Sequence, residues 1–232
     1  IQCTHMAPTM VQAFLDAPGI GDYDLSSLRT LCYAAAPMPV SVLRRGLKLL
    51  GPIFVDCYGS TEMGGVTGLH KHLHRLDGGE EDERRLGSVG QALTHADIRI
   101  VDDKGNPVAA PGIGEISIRS ESALSFYWNN HVATIESFDE GWFATGDMGF
   151  LDEQGFLYLV DRKKDMIISG GENIYCREVE EAINDHAGIE DVAVIGVPDD
   201  YWGEAVKAVV VRKAGSTVSA DEVIAHCLTK IA

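Results

Sequence analysis

The sequence predicts an α/β protein built in three successive segments, and three observations carry that prediction. Residues 1–86 alternate amphipathic stretches with short apolar runs, the grammar of a βαβ segment. Residues 87–161 switch to period-two alternation broken by turn residues, which marks antiparallel strands and is read as a small β-barrel. Residues 162–232 return to mixed helix and strand, the mark of a separate, small α+β unit. The composition, 45% hydrophobic and 23% charged over 232 residues, is that of a folded globular chain.

In the first segment, residues 10–17 form an amphipathic helix, 28–34 a short apolar strand, and Pro39 opens a helix that runs to Leu50. Proline suits a first helical position because its missing N–H costs nothing there. Residues 53–58 make an apolar strand that runs straight into Gly59-Ser60-Thr61-Glu62, and ligands in such sheets sit where strands end. In the second segment, 97–100 and 115–119 alternate as strands around a turn at 104–107. A second hairpin pairs 150–151 with 156–160 around Asp152-Glu153-Gln154-Gly155. In the third, an apolar run at 166–168 meets a Gly170-Gly171 break, a helix follows over about 177–186, and strands follow at 192–197 and 205–211. Ser219 with Glu222 reads as the capping box of a last helix.

Nineteen basic against thirty-five acidic residues give a net charge of −16, a field that repels phosphate backbones and anionic lipid headgroups. Nucleic acid is therefore excluded as a first expectation. No apolar run approaches the roughly 20 residues of a spanning helix, and the N-terminal residues lack the regions of a signal peptide. The expectation is a cytoplasmic protein without a transmembrane segment. Cys3, Cys32, Cys57, Cys176 and Cys227 are scattered, odd in number and without a CxxC pair, so they are read as buried thiols. Ile1 at the start and a helical pattern running to Ala232 suggest a piece of a longer chain.

Three motifs carry chemistry. Tyr58-Gly59-Ser60-Thr61-Glu62 places an aromatic ring, a tight turn, hydroxyls and a carboxylate at a strand end, a set suited to stacking a base, bonding a phosphate and holding Mg²⁺. By itself it reads first as a polar turn after a strand. Thr145-Gly146-Asp147 puts a carboxylate at a turn, where it can accept from two ribose hydroxyls; Asp in such turns also serves local hydrogen bonding. Asp161-Arg162-Lys163-Lys164-Asp165 lies where the grammar changes and has the charged, apolar-poor character of a hinge or of a solvated linker. His70, His72 and His74 would share one face of a strand, a weak metal pattern, and residues 80–85 read as a solvated charged loop. Trp128 and Trp142 are expected to pack the barrel.

Taken in order, YGSTE, GWFATGD and DRKKDMIISGGENIYCREVEEAI resemble the adenylate-forming superfamily, most closely its acyl-CoA synthetase branch. The loop Cys32-Tyr33-Ala34-Ala35-Ala36-Pro37-Met38 resembles the one that lines the family's adenine and acyl pockets, with Ala34 where glycine is usual. The resemblance implies that residues 1–161 are the C-terminal part of a large AMP-binding N-terminal domain and that 162–232 are a small, mobile, incomplete C-terminal domain. It implies that Tyr58 stacks on adenine beside Ala35, Ala36, Asp56 and Cys57. Thr61 and Glu62 would be the catalytic pair, Thr61 meeting the α-phosphate and Glu62 binding Mg²⁺. Asp147 and Arg162 would hold the ribose, Lys164 would be the hinge, and Gly170 and Gly171 would border the CoA channel.

The implied ligands are ATP, Mg²⁺, CoA and a carboxylic acid, and the implied activity is that of an AMP-forming acid–thiol ligase. Fatty, short-chain and aryl acids all fit the motifs, and no motif sets an oligomeric state. Two family features have no match in the 232 residues: the Gly-rich phosphate loop ending in Pro-Lys, and a Gly-Lys lysine beyond the last helix. The chain alone is therefore expected to be inactive. The alternatives are a non-catalytic adenylate-binding module and an adenylation domain that loads a carrier protein.

Overall fold

A computed structural model describes residues 1–231 and divides the chain into two compact units, residues 1–145 with 149–159, and residues 146–148 with 160–232. The first unit opens with strand β1 (Cys3–Met6), helix α1 (Pro8–Leu15), strand β2 (Thr30–Ala34), helix α2 (Val40–Leu50) and strand β3 (Phe54–Ser60). Pro8 stands at the start of α1, where the first N–H groups have no intrahelical acceptor anyway. Pro39 is the N-cap of α2, and Gly51 closes that helix at φ 75°, a backbone angle costly for any residue with a Cβ. Strands β4 (Gly64–Leu69) and β5 (Gln91–Ala92) complete a sheet of order β1-β2-β3-β4-β5, parallel from β1 to β3 and antiparallel beyond.

The helices bury their apolar stripes on this sheet. Val11 and Leu15 of α1 and Leu43 and Leu47 of α2 join Leu31, Tyr33 and Phe54 in one core cluster. Gly46 is required on α2 because a Cβ there would stand 2.5 Å from the Phe54 ring. The antiparallel segment contains β6 (Ala96–Val101), β7 (Gly114–Ser120), helix α4 (His131–Ser137), β8 (Phe138–Asp139), β9 (Trp142–Leu151) and β10 (Leu157–Arg162). Its sheet runs β10-β9-β7-β6 with β8 on β9, around Ile100, Ile116, Ile118, Phe143 and Leu157.

The second unit holds β11 (Ile167–Ser169), β12 (Glu172–Ile174), helix α5 (Cys176–Asn184), β13 (Ile189–Asp199), β14 (Gly203–Arg212) and helix α6 (Ala220–Cys227). Its sheet order is β12-β11-β14-β13, and its core is Ile167, Cys176, Ile183, Ile189, Val194 and Val223. The capping box at Ser219 and Glu222 is fully formed, each side chain bonding the other residue's backbone N–H.

Several local expectations are corrected. The charge run at 80–85 is not a loop but helix α3 (Gly79–Arg85), with its acids in the first turn and its arginines in the last, where the helix dipole favours them. The three histidines do not share a strand face: residues 71–73 form a 3₁₀ turn, His70 and His72 stack on each other, and His74 is buried. Trp128 is 89% exposed instead of packing a core, whereas Trp142 is half-buried and the guanidinium groups of Arg99 on β6 and Arg119 on β7 lie over its ring at 4.4 and 4.7 Å. Of the five thiols only Cys176 is buried, and Cys3 is exposed. Lys230 lies beyond the end of α6 and pairs with Asp185 at 2.6 Å, and Ala232 is outside the described residues.

Candidate functional site

Two groups of residues, one in each unit, hold the side chains that the sequence singles out. In the first unit, parallel strands β2 and β3 end side by side, with Ala34 in register with Cys57. Ala35 and Ala36, both exposed, follow the end of β2 next to the end of β3. Ala35 has φ 75°, a left-handed conformation for a residue with a Cβ. The position where the backbone asks for glycine is therefore 35, whereas Ala34 remains in the strand. Strain of this kind is held only where the surroundings over-determine the backbone, as they do at ligand clamps.

β3 delivers the motif residues alternately to its two faces. Tyr58 is only 9% exposed and packs in the cluster with Met63 and Val66, so little of its ring remains for a base to meet. Asp56 is buried in register with Tyr33, and burial pushes its carboxyl up to about 7. Burial first, then the Asp56 charge, raises the Cys57 thiol.

The turn to β4 has no slack. A Cβ on Gly59 would overlap the Gly64 carbonyl, Gly64 has φ 67°, and the register shifts between Tyr58 and Gly59 as in a bulge. Ser60 Oγ accepts from the Glu62 N–H at 3.1 Å, Thr61 is exposed, and Glu62 is half-buried.

The segment after β7 grips this turn from outside. Leu124 N–H donates to the Glu62 carbonyl at 2.6 Å, Ser122 Oγ donates to the Met63 carbonyl at 2.6 Å, and the Tyr127 hydroxyl donates to Glu62 Oε1 at 3.4 Å. These partners lie about sixty residues from the turn in sequence, and no local pattern in the sequence signals them. Among the described residues no three His, Cys, Asp or Glu side chains gather as a metal site. Glu62 thus offers a single hard oxygen donor set, which fits Mg²⁺, an ion that keeps waters and takes one or two carboxylates together with substrate phosphates.

In the second unit, Asp147 of β9 and Arg162 at the end of β10 approach to 3.7 Å, the carboxylate 22% and the guanidinium 64% exposed. Lys163 N–H donates to the Gly146 carbonyl at 2.8 Å, and Gly146 turns at φ 72°. The exposed Lys164 follows in the turn after β10. Gly170 and Gly171 make the β11–β12 turn with φ 60° and 90°, and Gly170 donates its N–H to the Trp202 carbonyl at 2.8 Å. A Cβ on Gly170 would come within 2.7 Å of the Trp202 ring, so only glycine admits that contact.

The His74 side chain, read from sequence as a possible metal ligand, instead completes a buried relay. Its Nδ1 faces the His70 carbonyl at 3.1 Å, which can only accept, so Nδ1 carries the proton and Nε2 accepts from the Tyr33 hydroxyl at 3.0 Å. Burial lowers this imidazole to about 4, and burial also raises the Tyr33 phenol. No helix of the described residues is long and apolar enough to cross a membrane.

Comparison with known proteins places these groups in context. Residues 1–128 match the family described as AMP-binding enzyme, and residues 178–232 match the AMP-binding enzyme C-terminal domain. A medium/long-chain-fatty-acid–CoA ligase of Mycobacterium tuberculosis is 38% identical over 229 residues, covering 99% of this chain and 39% of that protein. A feruloyl-CoA synthase of an Amycolatopsis species is 41% identical over 225 residues, covering 97% and 44%. Among solved structures, an amide bond synthetase from Marinactinospora thermotolerans superposes with a TM-score of 0.90 at 32% identity, covering 98% of this chain and 46% of its own. The chain thus spans less than half the length of the proteins it matches.

Proposed function

The chain belongs to the AMP-binding enzyme family, and from that premise we propose that it is part of an ATP-dependent acyl-CoA synthetase, an AMP-forming acid–thiol ligase. The whole protein activates a carboxylic acid as acyl-AMP with release of pyrophosphate, then passes the acyl group to the CoA thiol with release of AMP. The observation that carries the reading is that Ala35 and Ala36 follow β2, and Thr61 and Glu62 follow β3, at the same end of two neighbouring parallel strands, where α/β sheets bind ligands.

A carboxylate attacking a triphosphate brings two anions together, so the barrier falls only where charge and donors are already oriented. Thr61 offers its hydroxyl to the α-phosphate, and the exposed Ala35 and Ala36 line the nucleotide where they follow β2. Glu62 holds Mg²⁺, which when bound neutralises phosphate charge. Asp147 and Arg162 hold the ribose as an acceptor–donor pair, Cys57 borders the base next to the buried Asp56 and Tyr58, Lys164 is the hinge, and Gly170 and Gly171 line the way to CoA.

A test on the whole protein is acid-dependent exchange of labelled pyrophosphate into ATP over acids of graded size, followed by CoA-thioester formation with AMP release. Both are expected, and absence of acid-dependent exchange across the panel overturns the reading. Exchange with acyl transfer to an amine instead of CoA would favour the chemistry named for the amide bond synthetase. The 232-residue chain by itself is expected to show no exchange, because one missing transition-state donor costs about 10²–10³ in rate and it lacks a phosphate loop and a Gly-Lys lysine.

A further inference from the structure

We propose that Tyr127 is a positioning residue for Glu62: its hydroxyl fixes the carboxylate so that one oxygen is held and the other is left for the metal. The inference rests on the role proposed above for Glu62 and extends it to a residue that no motif marks.

Glu62 lies in a turn whose backbone is held by Leu124 N–H on its own carbonyl and by Ser122 Oγ on the Met63 carbonyl. Those contacts fix the Cα but leave the side-chain torsions free, and a glutamate has three of them to order. The Tyr127 hydroxyl is the group that reaches the carboxylate itself, at 3.4 Å from Oε1. Its own placement is secured independently, since the Tyr127 N–H donates to Thr134 Oγ1 at 3.0 Å and Asn130 caps the helix that carries Thr134. A chain of anchored groups therefore runs from α4 to one carboxylate oxygen. With Oε1 engaged, the rotamer is restricted and a metal meets a preorganised donor, the arrangement by which outer partners raise metal affinity.

The test is Tyr127→Phe in the whole protein, which keeps the ring and the backbone bond to Thr134 and removes only the hydroxyl. The expected result is a rise of about tenfold in the Mg²⁺ concentration that half-saturates pyrophosphate exchange, within the 10–100-fold typical of such partners, with the KM for the acid unchanged. Weaker binding of Mn²⁺ in the presence of a non-hydrolysable ATP analogue, read by electron paramagnetic resonance, is expected in parallel. A variant whose Mg²⁺ dependence and Mn²⁺ binding equal those of the parent overturns the proposal. So does one whose turnover falls while both metal readouts stay fixed, which would mark a purely structural tyrosine. If Glu62→Gln in the otherwise unaltered protein leaves Mn²⁺ binding untouched, the assignment of Glu62 itself fails, which separates the two failures.

Discussion

Asp56 and His74 are buried within one strand-pair of each other, Asp56 in register with Tyr33 and Tyr33 bonded to His74, yet they pull stability in opposite directions with pH. The Asp56 carboxyl rises from 3.8 to about 7 because burial disfavours its charge. The folded state therefore keeps a proton that the unfolded chain loses, and the contribution is full below 3.8 and lost as pH rises through 7. His74 falls from 6.5 to about 4 for the same physical reason, so its contribution is full above 6.5 and lost as pH falls through 4. Each is worth on the order of 3–5 kcal/mol at about 1.4 kcal/mol per pKa unit, Asp56 the larger, and over pH 4–6.5 their slopes oppose each other. Urea midpoints of the parent are expected to change little across that window. Asp56→Asn should uncover a stability that climbs with pH from 4 to 6.5, and parallel flat profiles in parent and variant would refute the opposition. None of this was legible in the sequence: Asp56 read as a nucleotide neighbour and His74 as one of three alternating histidines. Their partners, Tyr33 and the His70 carbonyl, become neighbours only through the sheet and the 3₁₀ turn.

Elements show the same division between what neighbours in sequence decide and what distant contacts decide. The α6 capping box and the turn after β3 were legible because each is settled within a few residues, by Ser219 with Glu222 and by Gly59. Helix α3 was not, because Glu80-Glu81-Asp82-Glu83-Arg84-Arg85 reads as solvated charge until its partners are known. Arg85 is the reason it holds: its side chain is 13% exposed and bonds Asp82 at 2.5 Å, Glu81 at 3.1 Å and Gln154 at 3.2 Å. Its guanidinium also lies 4.8 Å over the Phe156 ring, so one residue ties α3 to the β9–β10 hairpin. Arg85→Ala leaves the buried Asp82 its 3.4 Å contact to Arg75 among the described residues, and should cost about 3 kcal/mol in urea unfolding, the low end for breaking a buried pair. Arg85→Lys should recover less than half of that, since an ammonium provides neither the fork nor the flat stacking face. Full recovery by lysine would show that charge alone holds the helix.

At the scale of the whole molecule the two units are unequal in what they bury. The first contains two clusters of ten buried residues each, built on Leu31, Tyr33 and Phe54 and on Ile116, Ile118 and Leu157. The second closes around six, while Ile195, Val209 and Val211 of its long β13–β14 pair stay about half exposed. A unit of some seventy residues with so small a core is marginal, because stability grows with the fraction of surface a chain can bury. Opening free energies within one protein run from near zero up to the global value, and units with few buried apolar contacts open first. Amides of β13 and β14 should therefore exchange with solvent by an opening of the second unit alone, at least tenfold faster than those of β2, β3 and β7. Low urea should widen that gap before any signal from the first unit changes. Peptide-resolved hydrogen exchange between residues 189–212 and residues 30–34, 54–60 and 114–120 reads this directly. Equal protection across both sets, lost in one transition, would mean that the small core draws stability from contacts beyond its own six residues.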